Sequence, residues 1–526
     1  MKYDFVIVGA GSAGCVLANR LSENPNRRVL LLEAGSSDWH PFIHMPAGIA
    51  KLVGNKSVNW NYYTEPEPQL DNRRLWWPRG RVLGGSSSIN AMCYVRGPAG
   101  DYDGWAQAAG DERWAWRNVL PVFKQLENNT RGASEWHGAG GPLSVSDLIY
   151  RNPLSQAFID AAAANGYARN DDFNAADQNG FGCYQVTQRN GVRASATAAF
   201  LKPARGRKNL TVLTRAVTER VLLSGLRAVG VDYRHHGRLT RAEAGEVILC
   251  GGAINSPQLL MLSGIGPASH LREHGIAVAL DLPDVGGNLQ DHLDVCTLQQ
   301  STQPVTYDQL NDVAVAWEYL TRRKGPGTSN VAEAGGFVRS RFAPDANCDV
   351  QFHFVPAMLD DHGRHRLPGY GYTLHACFLR PRSRGTIRLR SADPAAPAAI
   401  HANYLSDAEG FDLKMMIEAT KMSRDIFAQA PFDPYRGAEI FPGADAKTDA
   451  DLEAFVRRKA ETIYHPVGTC RMGRDDDAVV DAELRVRGVG ALRVVDASIM
   501  PSLIGGNTNA PTIMIAQRAA DLIRST

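Results

Sequence analysis

Two different spacings of apolar residues alternate along this chain. Tyr3 to Val8 reads as a buried strand, the residues from Ala13 to about Ser22 read as a helix, and Arg28-Val-Leu-Leu-Leu-Glu33 reads as a second buried strand ending in an acid. Strand-like runs return at Leu210-Thr-Val-Leu213, Val229-Gly-Val231 and Glu246-Val-Ile-Leu-Cys250. The last of these meets Gly251-Gly252 and repeats the logic of the N-terminus. From about Ser301 to Glu453 the character changes, and alternating segments such as Val350-Gln-Phe-His-Phe354 and Tyr372-Thr-Leu-His-Ala-Cys-Phe378 predict antiparallel strands. Leu492-Arg-Val-Val-Asp496 is again a buried-strand pattern, and Thr512 to Ile523 reads as a closing helix.

These patterns predict an α/β protein. A Rossmann-like nucleotide-binding domain is expected from residues 1–155, 190–300 and 455–526, and an antiparallel-sheet α+β substrate domain from residues 301–454 with part of 156–189. Both chain ends then belong to the first domain. After Glu33 the chain runs irregularly through Pro41, Pro46, Pro66, Pro68 and Pro78, with Trp60, Tyr62, Tyr63, Trp76 and Trp77 between them. Such a long aromatic excursion serves either as a pocket wall or as a pin to the core, and the residues alone leave both open.

The chemistry begins at Gly9-Ala-Gly11-Ser-Ala-Gly14, between the first strand and the first helix. Gly9 permits the sharp turn, Gly11 lets a pyrophosphate approach the backbone, and Gly14 lets the helix pack closely on its strand. The helix N-terminus offers free N–H donors to phosphates. Glu33, 19 residues after Gly14, is in register to accept both hydroxyls of an adenosine ribose and would repel a 2′-phosphate. A dinucleotide site is expected.

Composition narrows the rest. At 526 residues the chain is too long for one ordinary domain, and 44% apolar with 21% charged residues is the balance of a globular protein. A net charge of +2 gives no broad electrostatic reason to bind nucleic acid. No apolar stretch of about 18 residues is present to span a bilayer. Because the first strand starts at Tyr3, a leader peptide is not expected and a cytoplasmic location is the default. The eight cysteines show no paired spacing and read as reduced thiols without metal or disulfide roles.

Further motifs carry polar chemistry. Arg79-Gly-Arg-Val-Leu-Gly84-Gly85-Ser86-Ser87-Ser88-Ile89-Asn90 combines arginines, a glycine pair and hydroxyls, which suits a flat polar ring or a phosphate. Gly252-Ala-Ile-Asn-Ser256-Pro257-Gln-Leu-Leu-Met-Leu-Ser263-Gly264-Ile-Gly266 reads as a helix with Pro257 near its start and Gly264 at its end. His362-Gly-Arg-His365 and His235-His236 read as solvated loops, and Cys470 as packing.

With the opening fingerprint, these segments resemble the signature motifs of the glucose-methanol-choline oxidoreductases. The resemblance includes Val285-Gly-Gly-Asn-Leu-Gln-Asp-His292, Tyr464-His-Pro-Val-Gly-Thr-Cys-Arg-Met-Gly473 and Val495-Asp-Ala-Ser-Ile-Met-Pro501, and its wording is most similar to the choline dehydrogenase and medium-chain aliphatic alcohol dehydrogenase branch. It implies tightly held FAD with its adenosine at the N-terminal fingerprint and its ring against Gly84 to Asn90. Cofactor contacts are implied at Gly9, Gly11, Ser12, Ala13, Gly14, Glu33 and Ala34, at Arg81, Leu83, Gly84, Gly85, Ser86, Asn90 and Ala91, at Thr218, and at Asp496, Ala497, Asn507, Pro511 and Thr512. Some relatives bind flavin covalently through a histidine just before the matching asparagine; here that position is Ile89, so non-covalent FAD is expected.

The resemblance also implies His465 as the catalytic base and Asn509 as its hydroxyl-orienting companion. A neutral imidazole suits the task, because an alcohol proton does not leave unaided at neutral pH. The implied reaction is oxidation of a primary, aliphatic alcohol to an aldehyde, with electrons passed to a quinone or another acceptor. Choline oxidation, an oxygen-using alcohol oxidase and a non-redox hydroxynitrile lyase remain alternatives. Relatives in this branch can also dock peripherally on the inner face of a membrane, although no basic amphipathic helix stands out here.

Overall fold

In the computed structural model, which describes residues 2–365 and 367–525, two seven-stranded sheets organise the chain. The first runs in the order 210–213, 29–32, 2–8, 238–249, 227–235, 216–224, with strand 492–494 added beside the end of 238–249. Its nucleotide-binding half is parallel: Val6 pairs with Leu30 on one side and Val247 on the other. Val29–Leu32 is buried along its whole length, as a parallel strand covered on both faces must be. Each fully buried Val, Ile or Leu contributes about 1.5–3 kcal/mol.

The helix Ser12–Leu21 leaves this sheet through the glycine fingerprint. Gly9 has φ of +99°, and a Cβ there would sit 2.5 Å from the Cys250 carbonyl oxygen. A Cβ on Gly14 would sit 1.9 Å from the Gly9 carbonyl oxygen. Only glycine therefore lets the helix cross the strand so closely. The last helix, Asn509–Ser525, packs beside it, with Arg20 Nε donating to Gln517 Oε1 at 2.7 Å.

The second sheet is antiparallel, in the order 436–441, 293–301, 371–378, 350–355, 334–338, 180–183, with 461–462 beside 293–301. Its two faces do different work. Phe352, Phe354 and Tyr372 belong to an aromatic layer that includes Phe158, stacked 4.8 Å from Phe354, and Phe432, stacked 4.9 Å from Tyr372. Gln351, His353 and Val355 alternate with those rings and point the other way, and His353 lies opposite His375, which lies opposite Cys296. Polar and titratable side chains are thus gathered on one face of an otherwise apolar sheet.

The aromatic excursion does both of the tasks left open for it. Tyr62–Tyr63 pairs with Trp76–Trp77 as a short ladder, and Trp77 is buried as a pin. Trp60 and Tyr62, stacked at 5.6 Å, instead line the central cavity. One expectation is corrected: helix Gly252–Leu262 begins five residues before Pro257, which lies inside it, while Gly264 follows its end at φ of +83° as expected.

Candidate active site

A single cavity of about 1230 Å³ runs from the glycine fingerprint to the polar face of the antiparallel sheet. Two loops close on each other at one end: Gly84 N donates to Ala10 O at 2.7 Å, and a Cβ on Gly85 would meet Gly11 Cα at 2.7 Å. The helix starting at Ser12 has no side-chain cap and no acid in its first turn, so its N–H groups remain available to an anion. Glu33 is buried, and its two oxygens accept Ala10 N at 2.9 Å and Gly35 N at 2.8 Å. Burial pushes its carboxyl up to about 7 against the pull of those two N–H groups and of Arg81. Each oxygen keeps a second acceptor site for a ligand hydroxyl.

Of the expected cofactor contacts, Gly9, Gly11, Ser12, Ala13, Glu33, Ala34, Arg81, Gly85, Ser86, Asn90, Ala91, Thr218, Asp496, Ala497, Asn507 and Thr512 line this cavity. Gly14, Leu83, Gly84 and Pro511 stand behind the lining. Gly14 serves the helix–strand contact, Leu83 and Gly84 lock the loop through Ser36 O and Ala10 O, and Pro511 is buried in the first turn of the last helix. Asp496 is largely engaged by protein: its carboxylate holds Gly252 N, Ser256 Oγ and Ser498 N.

His465 lies at the other end, in a loop that strained backbone presents. Tyr464 has φ of +73°, its carbonyl accepts Arg79 Nη2 at 2.7 Å, and its N–H donates to Thr462 Oγ1 at 2.8 Å. His465 N donates to Asp291 Oδ1 at 2.7 Å, and Pro466 follows. Asp291 also accepts from Thr462 and Tyr404, and burial raises its carboxyl to about 6. The His465 ring is buried. Desolvation first, then His292 and Arg79, hold its pKa well below the ordinary histidine range. It is therefore neutral at pH 7.

The companion of His465 is Asn507. Asn507 Nδ2 stands 3.2 Å from His465 Nε2, whereas Asn509, expected in that place, accepts a 2.7 Å bond from Ser12 Oγ at the fingerprint. The physical reason is the helix start: Asn509 is its first residue, so it faces the adjacent helix N-terminus, while Asn507 still lies in the turn below the second sheet. His362, expected in a solvated loop, is instead enclosed. Its side chain is only 4% exposed, with Nε2 2.7 Å from Glu461 Oε2, a hydrogen bond to Tyr464 Oη and an edge contact with Trp76. His365, by contrast, is exposed, as expected.

Sequence reasoning also missed the groups behind His465. His292 Nδ1 lies 2.9 Å from His465 Nδ1, and Gln351 Nε2 donates to Asn507 Oδ1 at 3.0 Å. These residues come together only through strand pairing of segments far apart in the chain.

The chain matches the family profile described as GMC oxidoreductase over residues 3–294 and again over residues 381–516. The chain belongs to the GMC oxidoreductase family. It is 52% identical to an alcohol dehydrogenase (acceptor) of Pseudomonas putida, an alignment covering 99% of this chain and 95% of the relative. Identity to the mitochondrial choline dehydrogenase of Mus musculus is 48%, covering 99% and 89%. Among solved structures, pyridoxine 4-oxidase from Mesorbium loti superposes with a TM-score of 0.92 at 36% identity, covering 100% of this chain and 99% of the other. The cofactor of GMC oxidoreductases is FAD, and the cavity fits it. Arg81 Nε and Thr218 Oγ1, both on residues lining the nucleotide end, are buried without a protein partner. On residues that line the cavity, such atoms are free to meet polar atoms of the cofactor.

Proposed function

We propose that this GMC oxidoreductase is an FAD-dependent alcohol dehydrogenase that oxidises primary aliphatic alcohols to aldehydes and passes the electrons to a quinone or another acceptor. The observation that carries this reading is the 3.2 Å pair of His465 Nε2 and Asn507 Nδ2 at the substrate end of the cavity. An alcohol entering between them donates its O–H to the imidazole and accepts from the amide. General-base assistance of this kind contributes about 10²–10⁴ in rate. When bound, FAD supplies the hydride-accepting ring. Ile89, at the position where a covalent link would form, offers no nucleophile, so FAD is held without a covalent bond.

Apolar residues in the walls suit an aliphatic substrate. Val355, Ala357, Met358, Leu359 and Ile463 surround the substrate end. Most carboxylates nearby have partners: Asp308 accepts from Thr306 Oγ1 and Met358 N, Asp312 pairs with Lys51, and Glu461 pairs with His362. Asp294 is the exception, since Oδ2 meets His375 at 2.6 Å while Oδ1 is buried without a partner. A quaternary ammonium calls for an acid or an aromatic cage, and Trp60, Tyr62, Tyr307 and Tyr464 are aromatic members of the same lining. The 48% identity to a choline dehydrogenase keeps choline as the second reading. Anaerobic mixing with choline, 1-octanol and an aromatic alcohol decides between them through loss of flavin absorbance. Admission of air then separates dehydrogenase from oxidase, since fast reoxidation with peroxide release belongs to the latter. No bleaching with any alcohol would leave a non-redox FAD protein.

Docking on the inner face of an anionic membrane from the cytoplasm is part of the proposal. No described helix is long and apolar enough to cross a membrane. Helix Asp312–Arg322, however, exposes Val313 at 78%, Trp317 at 71% and Leu320 at 67%, which share one face at helical spacing. Arg322, Arg323 and Lys324 follow directly and complement anionic headgroups. The adjoining Leu310, Val315 and Ala316 line the cavity, so the same segment would give an apolar alcohol or a quinone a short path.

A further inference from the structure

A directional chain of hydrogen bonds converges on His465 from both sides. Tyr184 Oη donates to Phe352 O at 2.7 Å, so its only proton is spent on the main chain. Gln351 Nε2 stands 3.1 Å from that phenol oxygen, which can then only accept, and this fixes which way the Gln351 amide faces. The same Nε2 donates to Asn507 Oδ1 at 3.0 Å, shorter than its 3.2 Å separation from His353 Nε2, so its two protons go to the phenol and to Asn507. Asn507 must therefore turn its Nδ2, which donates but does not accept because its lone pair is delocalised into the amide, towards His465 Nε2 at 3.2 Å. His465 Nε2 can meet it only as an acceptor.

In a neutral imidazole one nitrogen carries the proton and the other accepts. With the lone pair on Nε2, the His465 proton sits on Nδ1, and the atom facing it at 2.9 Å is His292 Nδ1. The two rings stand nearly perpendicular, at 88°, with centroids 5.1 Å apart. His292 is fully buried, and its Nε2 has no close hydrogen-bond partner.

We infer that His292 is a positioning residue that accepts the Nδ1 proton of His465, so holding the base in the tautomer whose Nε2 faces the substrate. It fills with a neutral ring the place a carboxylate holds in a serine–histidine–aspartate triad. A carboxylate there would accept more strongly but would raise the basicity of the ring and favour its charged form. His292 does neither: burial, with Arg380 and His353 adding to it, depresses its own pKa to about 3, so it stays an acceptor across the working range. The other groups acting on the pair are Arg79, which disfavours charge on His465, and Asp291, which holds the His465 main-chain N–H.

The inference rests on His465 acting as base, but its test does not need turnover. Holoenzyme labelled with ¹⁵N-histidine is examined by long-range proton–nitrogen correlation, with H465A identifying the His465 signals. The expected spectrum has His465 protonated at Nδ1 and bare at Nε2, and His292 bare at Nδ1. His465 protonated at Nε2 overturns the inference. In kinetics, His292→Leu removes the acceptor, whereas His292→Asn keeps an oxygen close to the lost Nδ1. H292L is expected to slow flavin reduction by about 10- to 100-fold with KM little changed, and H292N to restore most of the rate. Equal losses in H292L and H292N also overturn it. Undiminished flavin reduction in H465A refutes the base and leaves the spectrum unaffected, so the two failures are distinct.

Discussion

Asn507 and Asn509, two residues apart, serve opposite ends of one cavity: Asn507 Nδ2 is 3.2 Å from His465 Nε2, and Asn509 Oδ1 is 2.7 Å from Ser12 Oγ. Their alanine variants should therefore fail differently. Asn507→Ala removes the donor to the alcohol oxygen, and stopped-flow flavin reduction should fall by about 10²-fold, as when one aligned donor to a developing oxyanion is removed. FAD content should not change. Asn509→Ala should instead weaken FAD binding to apoprotein and leave the reduction rate of the loaded enzyme within a few-fold. The reverse pattern would restore Asn509 to the base.

The pH profile follows from the direction of two shifts. His465 has its pKa depressed, so the neutral base persists as pH falls through the usual histidine range and is lost only below it. The flavin reduction rate should therefore not show a histidine-like limb near 6.5. Asp291 is raised to about 6, and protonating it weakens its hold on the His465 N–H. A limb near pH 6 thus belongs to Asp291 and should vanish in D291N. A limb near 6.5 that survives in D291N sinks this assignment.

The nucleotide end was legible in the sequence because its signals are local: a strand, three glycines and an acid lie within one short stretch, and Gly9, Gly11 and Glu33 all reach the cavity. Of the substrate end, only His465 was placed there, through its motif. His292, Gln351, Tyr184 and Asn507 come from four distant segments, and only the sheet register and the turn before the last helix bring them together. The polar run around His362 looks solvated until Trp76, Glu461 and Tyr464 fold over it. The exposed stripe on helix 312–322 was hidden for a related reason: its apolar residues have the spacing of a core-facing helix, and only the fold leaves that face uncovered.

Glu33 gives FAD binding a pH dependence of defined sign. Its carboxyl in the cofactor-free protein is raised to about 7, and the ionised form is the better acceptor for ribose hydroxyls. FAD affinity of the apoprotein should therefore rise with pH through about 7. Glu33→Gln should weaken binding by about 10- to 100-fold, the worth of one or two hydrogen bonds to a charged group, and flatten that dependence. Equal pH dependence in the two proteins, measured by fluorescence titration with FAD, counts against the assignment.

Ile89 predicts that the flavin is released on denaturation. Its buried side chain packs with Ile43, Leu52, Val58 and Val82 and has no atom able to attack the flavin ring. Acid precipitation should leave all yellow colour in the supernatant. Colour retained in the pellet would reveal a covalent link elsewhere in the cavity.

Membrane docking makes a prediction that depends on one face of one helix. Replacing Val313, Trp317 and Leu320 by serine removes exposed apolar surface without touching the cavity, because the lining residues of this helix are Asp312, Val315 and Ala316. The native enzyme should sediment with phosphatidylglycerol vesicles and much less with phosphatidylcholine vesicles. Added salt should weaken this attachment, since Arg322, Arg323 and Lys324 would supply its electrostatic part. The triple variant should lose at least about tenfold in vesicle binding, as the transfer of three apolar side chains into the interface is worth more than 1.4 kcal/mol. Its flavin should still be reduced at the native rate by a short, water-soluble alcohol. If the native protein ignores both kinds of vesicle, or the stripe instead holds two copies together and the variant merely becomes monomeric, the lipid surface is the wrong partner.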